Sequence, residues 1–112
     1  MQMQGKAVRI KVYIGESDTW EGKPLASAIV RLCKEQGLAG ATVTRGIEGF
    51  GAHSKIHTAH IVDLSTDLPL VVEIIDTKER IQKVLPTIQS IVKEGLITLE
   101  ETEVIMYAAS KP

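Results

Sequence analysis

Apolar and polar residues alternate near the head of the chain. In AVRIKVYI, residues 7–14, Val8, Ile10, Val12 and Ile14 fall on one side and Arg9, Lys11 and Tyr13 on the other. A period of two marks a strand with one buried face. The turn GESDTWEG follows. Lys23-Pro24 then opens a helix, since proline suits a first turn where its missing N–H is not needed. Leu25, Ala28, Ile29, Leu32 and Cys33 form its apolar stripe, and Gly37 is placed to end it as a left-handed cap. GATVTRGI, residues 40–47, reads as a second strand. Residues 48–67 are polar and glycine-bearing and read as a long loop, of which His60–Leu64 can extend the sheet; a loop of that length is either functional or a misread element. LPLVVEII, residues 68–75, is a nearly continuous apolar run, as expected of a central strand, with Pro69 at its start. Thr77 is placed to cap a second helix with the stripe Ile81, Val84, Leu85, Ile88, Ile91 and Val92. Pro86 inside that stripe removes one backbone hydrogen bond and predicts a bend, and Gly95 is the expected end. TEVIMYA, residues 102–108, reads as the last strand.

The order strand-helix-strand-loop-strand-helix-strand predicts an α+β fold, a ferredoxin-like βαββαβ sandwich. Its four-stranded antiparallel sheet carries both helices on one face, and the whole chain, residues 1–112, forms a single domain. The other sheet face would show Arg9, Lys11 and Tyr13 among apolar neighbours. A sheet face left open in this way favours packing against further copies of the chain, usually in closed symmetry.

Composition narrows the function classes. With 13 Lys and Arg against 14 Asp and Glu the net charge is −1, which gives no basic surface for nucleic acid. No apolar run approaches the roughly 20 residues of a membrane-spanning helix, and the first residues lack the basic head and apolar run of a leader. The single cysteine, Cys33, cannot form an internal disulfide. The expectation is a cytoplasmic protein without membrane insertion.

EGFGAHSKIHTAH, residues 48–60, departs from the core pattern. Gly46, Gly49 and Gly51 either let the backbone approach a ligand with N–H groups facing a phosphate, or simply let the strand bend into the loop. Phe50, the one phenylalanine, either packs against a neighbouring subunit or stacks on a base. Arg45 and Lys55 are the cations nearest the glycines and suit phosphate oxygens, with surface solvation as the alternative. His53, His57 and His60 have a spacing that suits a metal on a helix, but the local sequence favours loop or strand, and no cysteine or paired carboxylate completes the set. Glu73 interrupts an apolar strand and needs a cation, a ligand group or another subunit. Lys78 and Arg80 sit at the cation-unfavourable end of the second helix, which calls for a nearby carboxylate such as Glu73 or Asp76, or an anionic partner. Cys33 lies on an apolar stripe, and no serine or cysteine has a base and carboxylate set around it, so no enzyme is expected.

GLAGATVTRGIEGFG, residues 37–51, followed by LPLVVEIID, residues 68–76, resembles the nitrogen-regulatory PII signal-transduction proteins. Closer still is the likeness to a small PII-like family classed as a domain of unknown function, in which TVTRGIEGFGAHSKIH, DLPLVVEIID and EGLIT recur in this order. The resemblance implies a homotrimer, an effector loop leaving the second strand, and small ligands, often adenine nucleotides, in clefts between subunits. It makes Arg45, Gly46, Gly49, Phe50, Gly51, Lys55 and Glu73 the candidate ligand-binding set, ADP or AMP the candidate ligand, and residues 48–67 the surface offered to a protein partner. No cofactor or resident metal is expected. Four parts of the PII pattern have no counterpart: the basic residue and glutamine after Gly-Phe-Gly (here Ala52 and His53), the lysine-bearing glycine turn after the second helix, the C-terminal arginines, and the tyrosine modified in many PII effector loops. A triphosphate should therefore gain little over a diphosphate. The alternative is a metal-binding or metal-tolerance trimer of similar fold that uses the loop histidines.

Overall fold

The computed structural model describes residues 2–51, 57–58 and 67–110. Its elements in chain order are β1 (Gln2–Gly15), β2 (Thr19–Trp20), β3 (Lys23–Pro24), α1 (Leu25–Glu35), β4 (Ala41–Arg45), β5 (Glu48–Gly49), β6 (His57–Thr58), β7 (Pro69–Asp76), α2 (Lys78–Ile91) and β8 (Leu96–Ala108). Four of them form one sheet in the order β4-β7-β1-β8, with every neighbouring pair antiparallel. This is the ferredoxin-like arrangement expected from the element order.

The alternation of β1 becomes its packing. Val8, Ile10, Val12 and Ile14 are buried, and they meet Val72 and Ile74 of β7, Leu25, Ala26, Ile29 and Cys33 of α1, and Ile81, Val84, Ile88 and Ile91 of α2 in one core. Burial of so many branched aliphatic side chains between helices and sheet is the main source of stability. The stripe of α1 lies slightly off the expected one, since Ala26 is buried while Ala28 and Leu32 are half-buried. α2 starts as expected: the Thr77 hydroxyl accepts from the Arg80 N–H at 3.4 Å.

Several boundaries differ from those the sequence predicts. Pro24 is the residue before α1 rather than inside its first turn, and there it pairs with Thr19 in the small β2–β3 hairpin. α2 runs through Pro86 and ends at Ile91. Gly95 lies beyond it, where a Cβ would sit 2.6 Å from the Tyr13 carbonyl oxygen, so glycine is required to bring the start of β8 alongside β1. β8 starts at Leu96 rather than near residue 102, and β1 starts at Gln2. β7 pairs with β1 only as far as Val8, whereas β8 continues to Gln2↔Ala108, so the two longest strands extend as a ribbon past the four-stranded part. A register shift between Met3 and Gly5, with Gly5 at φ +98, marks a bulge in that ribbon. Residues 48–67 are not loop throughout, because β5 and β6 pair through Glu48↔Thr58 and Gly49↔His57. The proposed extension at His60–Leu64 lies outside the described residues.

Candidate functional site

β4 is an edge strand, paired only with β7 in the sheet order. Its register, Val43↔Val72 and Arg45↔Leu70, puts Val43 and Arg45 on the helix-covered side, while Thr42↔Glu73 puts Thr42 and Glu73 on the open side. At the end of the strand the Gly46 N–H donates to the Pro69 carbonyl at 2.7 Å. A Cβ on Gly46 would lie 2.8 Å from Pro69 Cγ, so this glycine is explained by close packing within the chain. Gly49 also sits over Pro69, its would-be Cβ 3.3 Å from Cγ. Among the described residues nothing lies within 4 Å of a would-be Gly51 Cβ, and Phe50 beside it is 67% exposed. Of Gly46, Gly49 and Gly51, Gly51 is the one whose role contacts among the described residues leave unexplained.

Arg45 stands at the mouth of an open groove of about 670 Å³ between α1 and β4. Pro24, Ala26, Val30, Val43 and Leu70 supply its apolar walls, Ser27 a hydroxyl, and Glu16, Arg31 and Arg45 its charges. The Arg45 guanidinium is ion-paired with the Glu16 carboxylate. Glu16 follows β1 in a tied-down turn. Its own N–H donates to the Leu68 carbonyl at 2.8 Å, the Gly15 N–H donates to Asp18 Oδ2 at 2.9 Å, and the Ser17 N–H donates to Asp67 Oδ1 at 2.9 Å. β7 lies between the strands that carry the two partners, so the ion pair bridges it. Sequence reading missed Glu16 and Arg31. The signal for Glu16 was its spacing of two from Ile14, which continues the inward face of β1 into the turn.

Glu73 has a partner within the chain. Arg9 Nε lies 3.3 Å from Glu73 Oε1, and Arg9 Nη1 lies 3.1 Å from Glu100 Oε1, a three-residue ladder across β7, β1 and β8. Arg45 and Glu73 lie on opposite faces of the sheet. The expected carboxylate for Arg80 is Asp76, at 3.3 Å from Nε to Oδ1. Cys33 is buried, and burial pushes its thiol up to about 11, which removes the thiolate needed for nucleophilic chemistry near neutral pH. Lys55, His53 and His60 lie outside the described residues, and of His57 only the backbone pairing is described. Among the described residues no group of three or more His, Cys, Asp or Glu side chains is placed to hold a metal ion.

The family model DUF190, described as Uncharacterized ACR, matches residues 7–104. This chain belongs to the DUF190 family. Similar proteins include a UPF0166 protein of Aquifex aeolicus (strain VF5), 42% identical over 86% of this chain and 90% of that protein. Another is a UPF0166 protein of Methanocaldococcus jannaschii, 36% identical over 88% of this chain and 92% of that protein. Among solved structures, CPII of Thiomonas intermedia K12 bound to ADP, AMP and acetate superposes with a TM-score of 0.64 at 12% identity, over 91% of each chain. CPII from the same organism, described as a nitrogen regulatory PII-like protein and bound to ADP, AMP and bicarbonate, gives 0.54 at 14% identity over 93% of this chain and 91% of that one. The DUF190 chain therefore has the PII-like fold. No helix among its described residues is long and apolar enough to cross a membrane.

Proposed function

We propose that this DUF190 chain is a non-enzymatic, cytoplasmic, PII-like regulator in which residues 1–112 act as one domain and assemble as a homotrimer. An adenine nucleotide, ADP or AMP, would bind between subunits through Arg45, Gly46, Gly49, Phe50, Gly51 and Lys55. Ordering of residues 48–67 by that ligand would present them to a protein partner. Glu73, on the open sheet face, would belong to the packing between subunits. A ligand can drive such a change only by its preference for the ordered state.

The observation that carries this reading is the placement of Arg45. It is the last residue of an edge strand, beside an apolar groove and next to the glycine segment whose Phe50 and Gly51 are exposed. That combination offers a cation for phosphate oxygens, apolar walls and a free aromatic ring for a base. The ADP and AMP bound by the CPII neighbours support the choice of ligand.

Isothermal titration and thermal shift test it. AMP or ADP should raise the melting temperature in step with RT ln(1 + [L]/Kd), and ATP should add little beyond ADP. No heat with any adenine nucleotide, together with zinc uptake that is lost in His53→Ala and His57→Ala, would replace this reading with the metal-binding one.

A further inference from the structure

We infer that Glu16 is a built-in competitor for the ligand of Arg45: its carboxylate occupies the guanidinium until a phosphomonoester displaces it. The inference rests on the nucleotide reading of the Arg45 site and adds its regulation and charge selectivity.

Three observations carry it. First, the Glu16–Arg45 pair lies on the rim of the groove rather than within the core. The Arg45 side chain is 62% exposed and that of Glu16 22% exposed, so the pair can open without unpacking the core. Second, the backbone holds Glu16 there independently of its side chain, through the Glu16 N–H to Leu68 bond and the flanking Asp18 and Asp67 contacts. The backbone thus keeps the carboxylate within reach of Arg45 while leaving its side chain free to swing away. Third, the groove carries a second cation, Arg31, which has no ion-pair partner among the described residues, and α1 contributes no acidic residue in its first turn. With Glu16 in place, the lining charges of the groove sum to one positive; with Glu16 turned away from Arg45, the groove lining offers two guanidinium groups without a carboxylate between them and the ligand.

The chemistry then favours one ligand class. A small carboxylate brings one negative charge and two acceptor oxygens, so it merely exchanges with Glu16 and then faces it at close range. A phosphomonoester brings close to two charges and three strong acceptors, which match the five donors of an arginine and leave oxygens for Arg31. The resident carboxylate thus raises the threshold for anions in general and leaves phosphomonoesters with an apolar or aromatic body as the ligands that cross it.

The test is calorimetric titration of AMP, with adenosine as the uncharged control, into wild type, Glu16→Gln, Arg45→Ala and the double variant. Glu16→Gln should bind AMP about three- to tenfold more tightly, the scale of one partly exposed charged contact. Adenosine binding should not change, and the gain should vanish in the Arg45→Ala background. Glu16→Ser serves in the same role if the glutamine variant melts at a lower temperature than wild type. If wild type binds AMP through Arg45 while Glu16→Gln and Glu16→Ser bind it no more tightly, the competitor role is overturned and the nucleotide reading stands. If no variant takes up AMP, both fall together.

Discussion

The Asp76 carboxylate accepts the Ala39 N–H at 2.8 Å, which fixes the end of β7 to the loop between α1 and β4. The same fully buried carboxylate accepts the Thr77 N–H at 2.7 Å and lies 3.3 Å from Arg80 Nε. Arg80 in turn donates to the Gly37 carbonyl, and the Tyr107 hydroxyl donates to the Ala39 carbonyl at 3.0 Å. Both backbone polar groups of Ala39 are thereby satisfied by side chains from distant parts of the chain. β4, which carries Arg45, is anchored at its opposite end by this cluster.

Asp76→Ala should cost about 3 kcal/mol of stability. The substitution strands two backbone donors and removes the partner of Arg80 at once. Urea unfolding should show a lower midpoint at an unchanged slope. Tyr107→Phe, which loses one hydrogen bond, should cost about 1 kcal/mol.

Glycine replacements should separate packing from ligand contact. Gly95→Ala should cost about 2–4 kcal/mol, because its Cβ would press on the Tyr13 carbonyl oxygen at 2.6 Å and the residue sits at φ +154. Gly51→Ala, whose Cβ meets nothing within 4 Å among the described residues, should leave stability within about 0.5 kcal/mol of wild type. Any loss of nucleotide response in Gly51→Ala, seen by thermal shift, is then a loss of binding and not of fold.

Cys33 should make the fold sensitive to alkaline pH. Its thiol has an ordinary value of 9.0 and is raised to about 11 by burial. Between those values the unfolded chain releases the proton and the folded chain keeps it, so this residue lowers stability as pH rises through that window. The stability difference between wild type and Cys33→Ala should therefore shift toward the variant from pH 9 to pH 11, as measured by urea unfolding at each pH. At pH 8 a thiol reagent should label native protein far more slowly than unfolded protein.

The proposed trimer predicts a light-scattering mass of three times the 12.2 kDa of the chain. Opening the face that carries the Arg9 ladder is the sensitive test. Ile75→Asp, on that face by its register with Arg9, should shift the mass toward that of one chain.

The fold was legible because its core elements announce themselves by period. The twofold alternation of β1 and the stripes of α1 and α2 depend on which side faces the core, and the core is common to all of them. The start of β1, before Ala7, and the first half of β8, Leu96–Glu101, were not legible. Gly5 and Lys6 at the one, and Thr98, Glu100 and Glu101 at the other, break the apolar period, and both stretches become strand by pairing with a distant segment. The candidate site divided in the same way. Arg45 and the glycines stand out by residue type, but the Glu16 contact depends on two strand ends brought together across β7, a relation that no local window contains. Glu73 was read as needing a cation, a ligand group or another subunit, and the topology supplies the cation, Arg9, from the neighbouring strand.

The sheet order also governs how the chain comes into being. Among the strands of this sheet synthesis delivers β1 first, yet its two neighbours, β7 and β8, come last, and Gln2 pairs with the distant Ala108. Until those segments emerge, the row Val8, Ile10, Val12 and Ile14 has no strand on either side. Closing such long loops is the slow part of folding. A nascent chain arrested before residue 69 thus exposes an unpaired apolar strand, and during that interval it is a natural client for a holding chaperone.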